Sequence, residues 1–273
     1  MVTCSHTSVY FSLAYKSHCV FMRLLLIVFG MTMNLIGAAH ATDRSPSTDP
    51  VASEIYVATL QLKGLGIDAT SETQALAALD STDSLVQYFA MNLAKLKKDK
   101  AAIPALRRVL ASHSAIDRIT SCEALEAIGD DPGIWMPVCV QILSENDPIP
   151  QLAAARLLAK NGDGRGWAVT YAALQGDDSV LTNMACDIIP TFRGVKYLSA
   201  KGLLTLDPLA TCLGLFSRST ERTQISLLAP ISELAQPADI GKLRQLQKAA
   251  KSAAVRSRIS DVVGRLKTSP KLK

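Results

Sequence analysis

Few side chains in this sequence have the chemistry of a nucleophile, a general base or a soft metal ligand, and their spacing argues against each role. Three of the four His lie at or before position 40, which leaves His113 as the one imidazole in the rest of the chain. A single His cannot build a His-based metal site, and no Ser or Cys stands in a pattern that would pair it with a His base. Four Cys follow position 41: Cys122, Cys139, Cys186 and Cys212. Cys122 and Cys139 fall at apolar positions of two neighbouring helical segments. There they either face each other as a disulfide, if the chain reaches an oxidising compartment, or pack as small core residues. Packing is the simpler reading and extends to all four. Asp130-Asp131 and Asp177-Asp178 are adjacent acids, but both pairs stand where a turn meets a helix start, so capping explains them. The sequence holds no Gly-x-x-x-x-Gly-Lys-Ser/Thr loop, no Gly-x-Gly-x-x-Gly after a strand and no His-Glu-x-x-His. Neither catalytic, metal-binding nor cofactor-binding residues are assigned.

The segments that carry these residues read as helices. Hydrophobic residues make up 48% of the chain but aromatic residues only 5%, and the apolar set is mostly Ala, Leu, Ile and Val. Such composition suits helices better than sheets. Six Cys in 273 residues are too few for a disulfide-built scaffold.

The N-terminus is set apart from the fold. Met22-Arg23 precedes LLLIVFGMTMNLIG, and Ala38-Ala39-His40-Ala41 follows. A basic residue, a short apolar run and an Ala-x-Ala ending form a secretory signal peptide with cleavage after Ala41. The run is shorter than the roughly 20 apolar residues of a membrane span, and no Cys at the cleavage site offers a lipid anchor. Residues 1–21 carry a single Lys and no helical period, which suggests that translation starts at Met22, with a long n-region as the alternative. Residues 42–50, polar and proline-bearing, read as a flexible leader.

From Val51 onward the apolar pattern repeats. Leu62, Leu93, Leu125, Leu157 and Ile188 recur at intervals of 31, 32, 32 and 31. A second series, Leu79, Leu110, Leu143 and Leu174, runs at 31, 33 and 31, and trails the first by 17, 17, 18 and 17. Two series in step indicate repeated helix pairs. The breaks recur too: Lys98-Asp99-Lys100, Gly129-Asp130-Asp131 and Asn161-Gly162-Asp163 divide first from second helices, and Ser81-Thr82-Asp83, Asn146-Asp147-Pro148 and Asp177-Asp178-Ser179 divide pairs. Gly or Asn ends a helix in the left-handed conformation and Asp caps the next. Pro104 and Pro137, each six residues before a second-helix anchor, are expected in first turns. Past Ile188 the register slips, and Leu228 and Leu246 resume it after an insertion of about eight residues near Arg193–Leu206. Pro190 and Pro230 fall inside first helices and are expected to bend them. Val255–Leu266 is a last first-type helix. The expectation is all-α: six helix pairs and a terminal capping helix over residues 51–267, then a basic tail, 268–273.

CEALEAIGDDPGIWMPVCVQIL, AMNLAKLKKDKAAIPALRRVL and LAAARLLAKNGDGRGWAVTYAAL resemble HEAT-like repeats, particularly the short kind found in phycobilisome bilin lyases. The resemblance covers about Val51–Leu266. It implies an α-α superhelix, a HEAT-like solenoid in which each pair buries its apolar face against its neighbours, and a concave surface of second helices of the kind that commonly binds proteins. It also suggests, as an alternative, a bilin-lyase-like enzyme or chromophore-binding protein. Export, and the lack of a reactive Cys/His arrangement, speak against that alternative.

Two features mark candidate partner-binding surfaces. Trp135 and Trp167, one repeat length apart near the starts of successive second helices, are either aromatic anchors or packing between repeats. Of 29 Lys and Arg and 24 Asp and Glu, only Lys16 and Arg23 precede Thr42, so residues 42–273 are nearly balanced. Gly241–Lys273 nonetheless holds ten basic residues against Asp261 alone. Arg258 and Arg265, one heptad apart on the last helix, could dock on an acidic protein or anionic lipid, or simply face water. Nucleic acid is a poor partner for an exported chain with no aromatic residue in that segment. The expected function is an exported, periplasmic or secreted protein-binding scaffold without catalysis or cofactor; a membrane-surface module docking through its basic C-terminus is the other alternative.

Overall fold

The structure, a computed structural model, describes residues 50–199, 202–250 and 252–268. The expected signal peptide, nearly all of the expected leader, and the tail beyond Thr268 lie outside the described residues. The chain divides into two units, Met1–Glu54 and Ile55–Lys273, and of the first only the opening turn of α1 is described. Thirteen α-helices follow in order among the described residues: α1 Pro50–Gly64, α2 Glu72–Ala78, α3 Ser84–Lys97, α4 Ile103–Val109, α5 Ala115–Ile128, α6 Pro132–Ile142 and α7 Pro148–Lys160. Then come α8 Trp167–Gln175, α9 Ser179–Ile188, α10 Pro208–Phe216, α11 Glu221–Leu234, α12 Ile240–Ala249 and α13 Ala253–Thr268. Between α9 and α10 lies an antiparallel hairpin of β1 Lys196–Ser199 and β2 Gly202–Thr205, paired Lys196 with Thr205 through Ser199 with Gly202. Among the described residues no helix is long and apolar enough to cross a membrane.

The helix starts follow from local chemistry. Asp83, Asp131, Asp147, Asp178 and Asp207 each accept a backbone N–H from the first turn they precede, as Ser71, Ser114 and Thr220 do through their hydroxyls. Each thereby satisfies one of the orphan donors at a helix N-terminus. Gly129 closes α5 at φ +87, a left-handed conformation that glycine takes without a Cβ penalty.

A second device sits four residues after the N-cap. Gln87, Gln151 and Gln224 donate from Nε2 to the carbonyls of Leu79 (2.8 Å), Leu143 (3.0 Å) and Phe216 (2.9 Å). Each bond ties the start of an odd-numbered helix to the unsatisfied C-terminal carbonyls of the even-numbered helix before it. Thr182 does the same in α9, through its hydroxyl to Ala173 O at 3.2 Å. In α5 the equivalent position is Arg118, whose Nη2 donates to both oxygens of Glu145 at 2.7 Å.

Packing is serial. α3 packs on α5, α5 on α7, α7 on α9, α9 on α11 and α11 on α13, while the even helices lie against the odd ones beside them in sequence. All five first-series anchors are buried. Of the second series, Leu79 and Leu174 are buried, and Leu110 and Leu143 only partly so. Two apolar clusters form, one from Ala58 to Leu158 and one from Leu152 to Val263. They meet in α7, whose Leu157 and Leu158 belong to the first and whose Leu152, Ala155 and Ala159 belong to the second. Its apolar residues thus face both clusters, while Arg156 and Lys160 stay exposed. Gly166, just before α8, lies so close to α7 that an added Cβ would stand 2.4 Å from Ala155 Cα.

Three expectations need correction. The all-α class holds except for the hairpin, which occupies the anticipated insertion. Pro137 is not in a first turn: α6 opens five residues earlier, where Asp131 caps it and Pro132 takes a position that needs no N–H. Pro137 therefore lies inside α6. Pro190 does not bend a continuing helix; α9 ends at Ile188 and a 3₁₀ turn, Ile189–Phe192, takes Pro190 near its start. Pro230 is inside α11 and buried.

Candidate interaction surface

The residues marked by the sequence separate by burial. Trp135, in the first turns of α6, is 1% exposed, and its indole N–H meets no hydrogen-bond partner. It is a core residue and offers a partner no ring surface. Trp167 is half-buried at the start of α8; it stacks on Tyr171 with centroids 6.4 Å apart and meets Phe192 edge-on at 5.3 Å. Arg258 and Arg265 are both exposed on α13. Arg265 is engaged within the fold, donating from Nη2 to Ser232 Oγ of α11 at 2.5 Å.

The cysteines are buried thiols. Cys122 on α5 donates to Trp135 O at 3.6 Å, and the Cys139 thiol on α6 lies beside it. Its hydrogen bond to Cys139, then burial, pushes the Cys122 pKa upward. Burial pushes Cys186 up to about 12, with Asp187 adding, and Cys212 up to about 12, with Cys186 and Asp207 adding. Burial that holds Cys122, Cys186 and Cys212 in the thiol form disfavours the thiolate that attack or metal binding needs. His113 is exposed. Among the described residues no three His, Cys, Asp or Glu side chains gather as metal ligands would.

The acids serve structure. Asp131 and Asp178 cap α6 and α9. Asp130 receives Arg107 through Nη2 at 2.6 Å and Nε at 3.0 Å, and these bonds hold its carboxyl below the ordinary range. Burial opposes ionisation of Asp163, but bonds from the Arg165 guanidinium and backbone N–H outweigh it and leave its pKa lowered. Ion pairs also run from one odd helix to the next. Glu123 on α5 takes Lys95 of α3 at 3.2 Å and Arg156 of α7, and Glu126 takes Lys160 of α7 at 2.8 Å. The partner of Lys95 belongs to the next helix pair and is visible only in the fold.

Exposed apolar surface is where the sequence reading was silent. Ile134 on α6 and Val180 on α9 are 40% and 42% exposed. The hairpin is the extreme, with Leu198 at 75%, Leu203 at 62% and Leu204 at 48%. An open groove of about 380 Å³ runs between it and the turn before α8, lined by Met136, Gly162, Asp163, Lys196, Leu198 and Leu203. A second, of about 620 Å³, includes Lys160, Arg193, Val195 and Lys196. A cleft of about 310 Å³ lies between α2 and α3. Among the described residues Cys and His line none of the three; the ionisable side chains there are Asp, Glu, Lys and Arg. No family model matches the chain, and no curated protein matches it.

Proposed function

We propose that the chain is an exported, periplasmic HEAT-like scaffold: an α-α superhelix of six helix pairs and a terminal helix that binds a protein partner on its repeat surface and performs no catalysis. The observation that carries this reading is the recurrence of one contact set. Odd helices pack in series from α3 to α13, and the same N-cap-plus-four bond to the preceding helix recurs at Gln87, Gln151 and Gln224. Arrays of this kind need only nearest-neighbour contacts to fold, which leaves their surfaces free to bind. Export rests on the Met22–Ala41 pattern in the sequence.

The test is recovery of the protein from the periplasm with N-terminal sequencing, followed by affinity capture alongside the Ile134→Glu/Val180→Glu variant. The expected result is a chain beginning at Thr42 with a co-purifying protein that the double variant loses while its helical signal persists. A chain that stays cytoplasmic would overturn export, and a pigment bound in place of a protein partner would favour the bilin-lyase-like alternative.

A further inference from the structure

The β1–β2 hairpin has an unusual combination of features for a segment inserted in a helical chain. Leu198 and Leu203 are cross-strand partners on one face, and both are mostly exposed. Leu204, paired with Tyr197, belongs to the opposite face and is 48% exposed. Apolar side chains thus reach solvent from both sides of the ribbon, although Tyr197 on the Leu204 face packs against the second apolar cluster. The hairpin is nonetheless held firmly at its base. An isolated parallel β-bridge, backbone to backbone, joins Lys196 of β1 to Asp163 in the turn before α8, and Gly164 sits so close that an added Cβ would stand 2.4 Å from Lys196 O. Leu206 N donates to Val195 O at 2.9 Å, closing the ribbon where it leaves the helices.

Within the hairpin segment itself the charge has one sign. From Arg193 to Leu206 the sequence contains no acidic residue, and Arg193 and Lys196 are exposed beside the leucines. The acids packed nearby are already engaged: Asp163 with Arg165, Asp239 with Lys242 at 3.0 Å, and Asp207 as the cap of α10. We propose that this hairpin is a lipid-docking element: Leu198, Leu203 and Leu204 enter the interfacial region of an anionic bilayer while Arg193 and Lys196 contact its phosphate headgroups. Interfacial binding combines buried apolar area with attraction to anionic lipid in this way. A protein groove covering one face would leave leucine exposed on the other. The proposal is independent of the protein-scaffold reading, which concerns the helical surface, and differs from docking through the basic C-terminus.

The experiment compares the full chain with Leu198→Ser/Leu203→Ser and Arg193→Glu/Lys196→Glu variants on phosphatidylglycerol-containing and pure phosphatidylcholine vesicles. It reads co-sedimentation and hydrogen exchange of the segment Lys196–Thr205. Because the readout is local, lipid contacts made elsewhere in the chain do not mimic it. On anionic vesicles the hairpin amides are expected to gain protection, which neutral vesicles do not give. Either variant should lower that protection and weaken vesicle binding about tenfold or more, as loss of exposed apolar contact or of headgroup attraction would. The melting temperature should stay at the wild-type value, since the replaced side chains are exposed. Unchanged hairpin exchange on anionic vesicles would overturn the proposal, whether or not the chain sediments. So would equal hairpin protection in lipid-free samples at raised protein concentration, which would assign the leucines to a contact between copies of the chain.

Discussion

Replacing Gly166 by alanine probes the junction on which both halves of the core depend. The new Cβ would stand 2.4 Å from Ala155 Cα and 2.5 Å from Ala155 Cβ, with the Ala155 carbonyl carbon at 3.2 Å. Carbon atoms in favourable contact are about 3.5–4.0 Å apart, so the start of α8 must retreat from α7 by about 1 Å. Overpacking of this kind costs about 1–3 kcal/mol. The upper end is expected here because the obstacle is backbone and cannot rotate away. Gly176→Ala supplies the comparison: its Cβ would meet carbonyl oxygens at 3.7 Å, an ordinary contact, and its φ is −75. That change should stay within about 0.5 kcal/mol of wild type. The assay is urea unfolding followed by far-ultraviolet circular dichroism, with free energies from the midpoint and slope. A second substitution, Ala155→Gly, removes the Cβ obstacle but leaves Cα, so it should recover only part of the loss. A Gly166→Ala protein as stable as Gly176→Ala would refute the close approach of α7 and α8.

The bond from Gln224 to Phe216 O is buried, so Gln224→Leu should cost about 1–3 kcal/mol by stranding that carbonyl, again read by urea unfolding. Glu123→Gln removes the charge shared by Lys95 and Arg156; a loss of about 1 kcal/mol is expected at low salt, shrinking as ionic strength rises. Asp130 has a lowered folded pKa, so its contribution is complete above the unfolded value of about 3.9 and disappears as pH falls through the folded one. Asp130→Asn should therefore be less stable than wild type at pH 7, by under about 1 kcal/mol because the partner Arg107 is partly exposed, and the gap should narrow as pH falls below about 4 and close once it passes below the folded pKa. A stability gap that widened in acid would contradict this assignment.

The helix order was legible because it is written in local pattern. Leu62, Leu93, Leu125, Leu157 and Ile188 recur at the repeat length and are all buried, and the acids expected to cap helices at positions 83, 131, 147 and 178 do so. The Gln at N-cap plus four was equally legible, as Asp83 to Gln87, Asp147 to Gln151 and Thr220 to Gln224, but polar residues inside a helix do not stand out from an apolar period. The hairpin was not legible. Its strands are short, and what seats them is the lack of a Cβ at Gly164, a full repeat earlier in the chain than Lys196. Nor could spacing separate Trp135 from Trp167. They occupy similar places in successive repeats, yet one is enclosed by α5 and α6 while the other lies at a half-open edge against Tyr171 and Phe192. Pro137 misled for a related reason: Pro132, earlier in the same segment, was free to take the helix start.

A serial array underlies the reading of a free repeat surface, and residue-resolved native-state hydrogen exchange of Leu125→Ala tests it directly. Leu125 is wholly buried in α5, and the change should cost about 2–5 kcal/mol. In an array held by nearest-neighbour contacts, protection should fall most in α3 through α7 and fade toward α11 and α13. An equal loss of protection in every helix from α2 to α13 would mean one indivisible core, and would contradict the account.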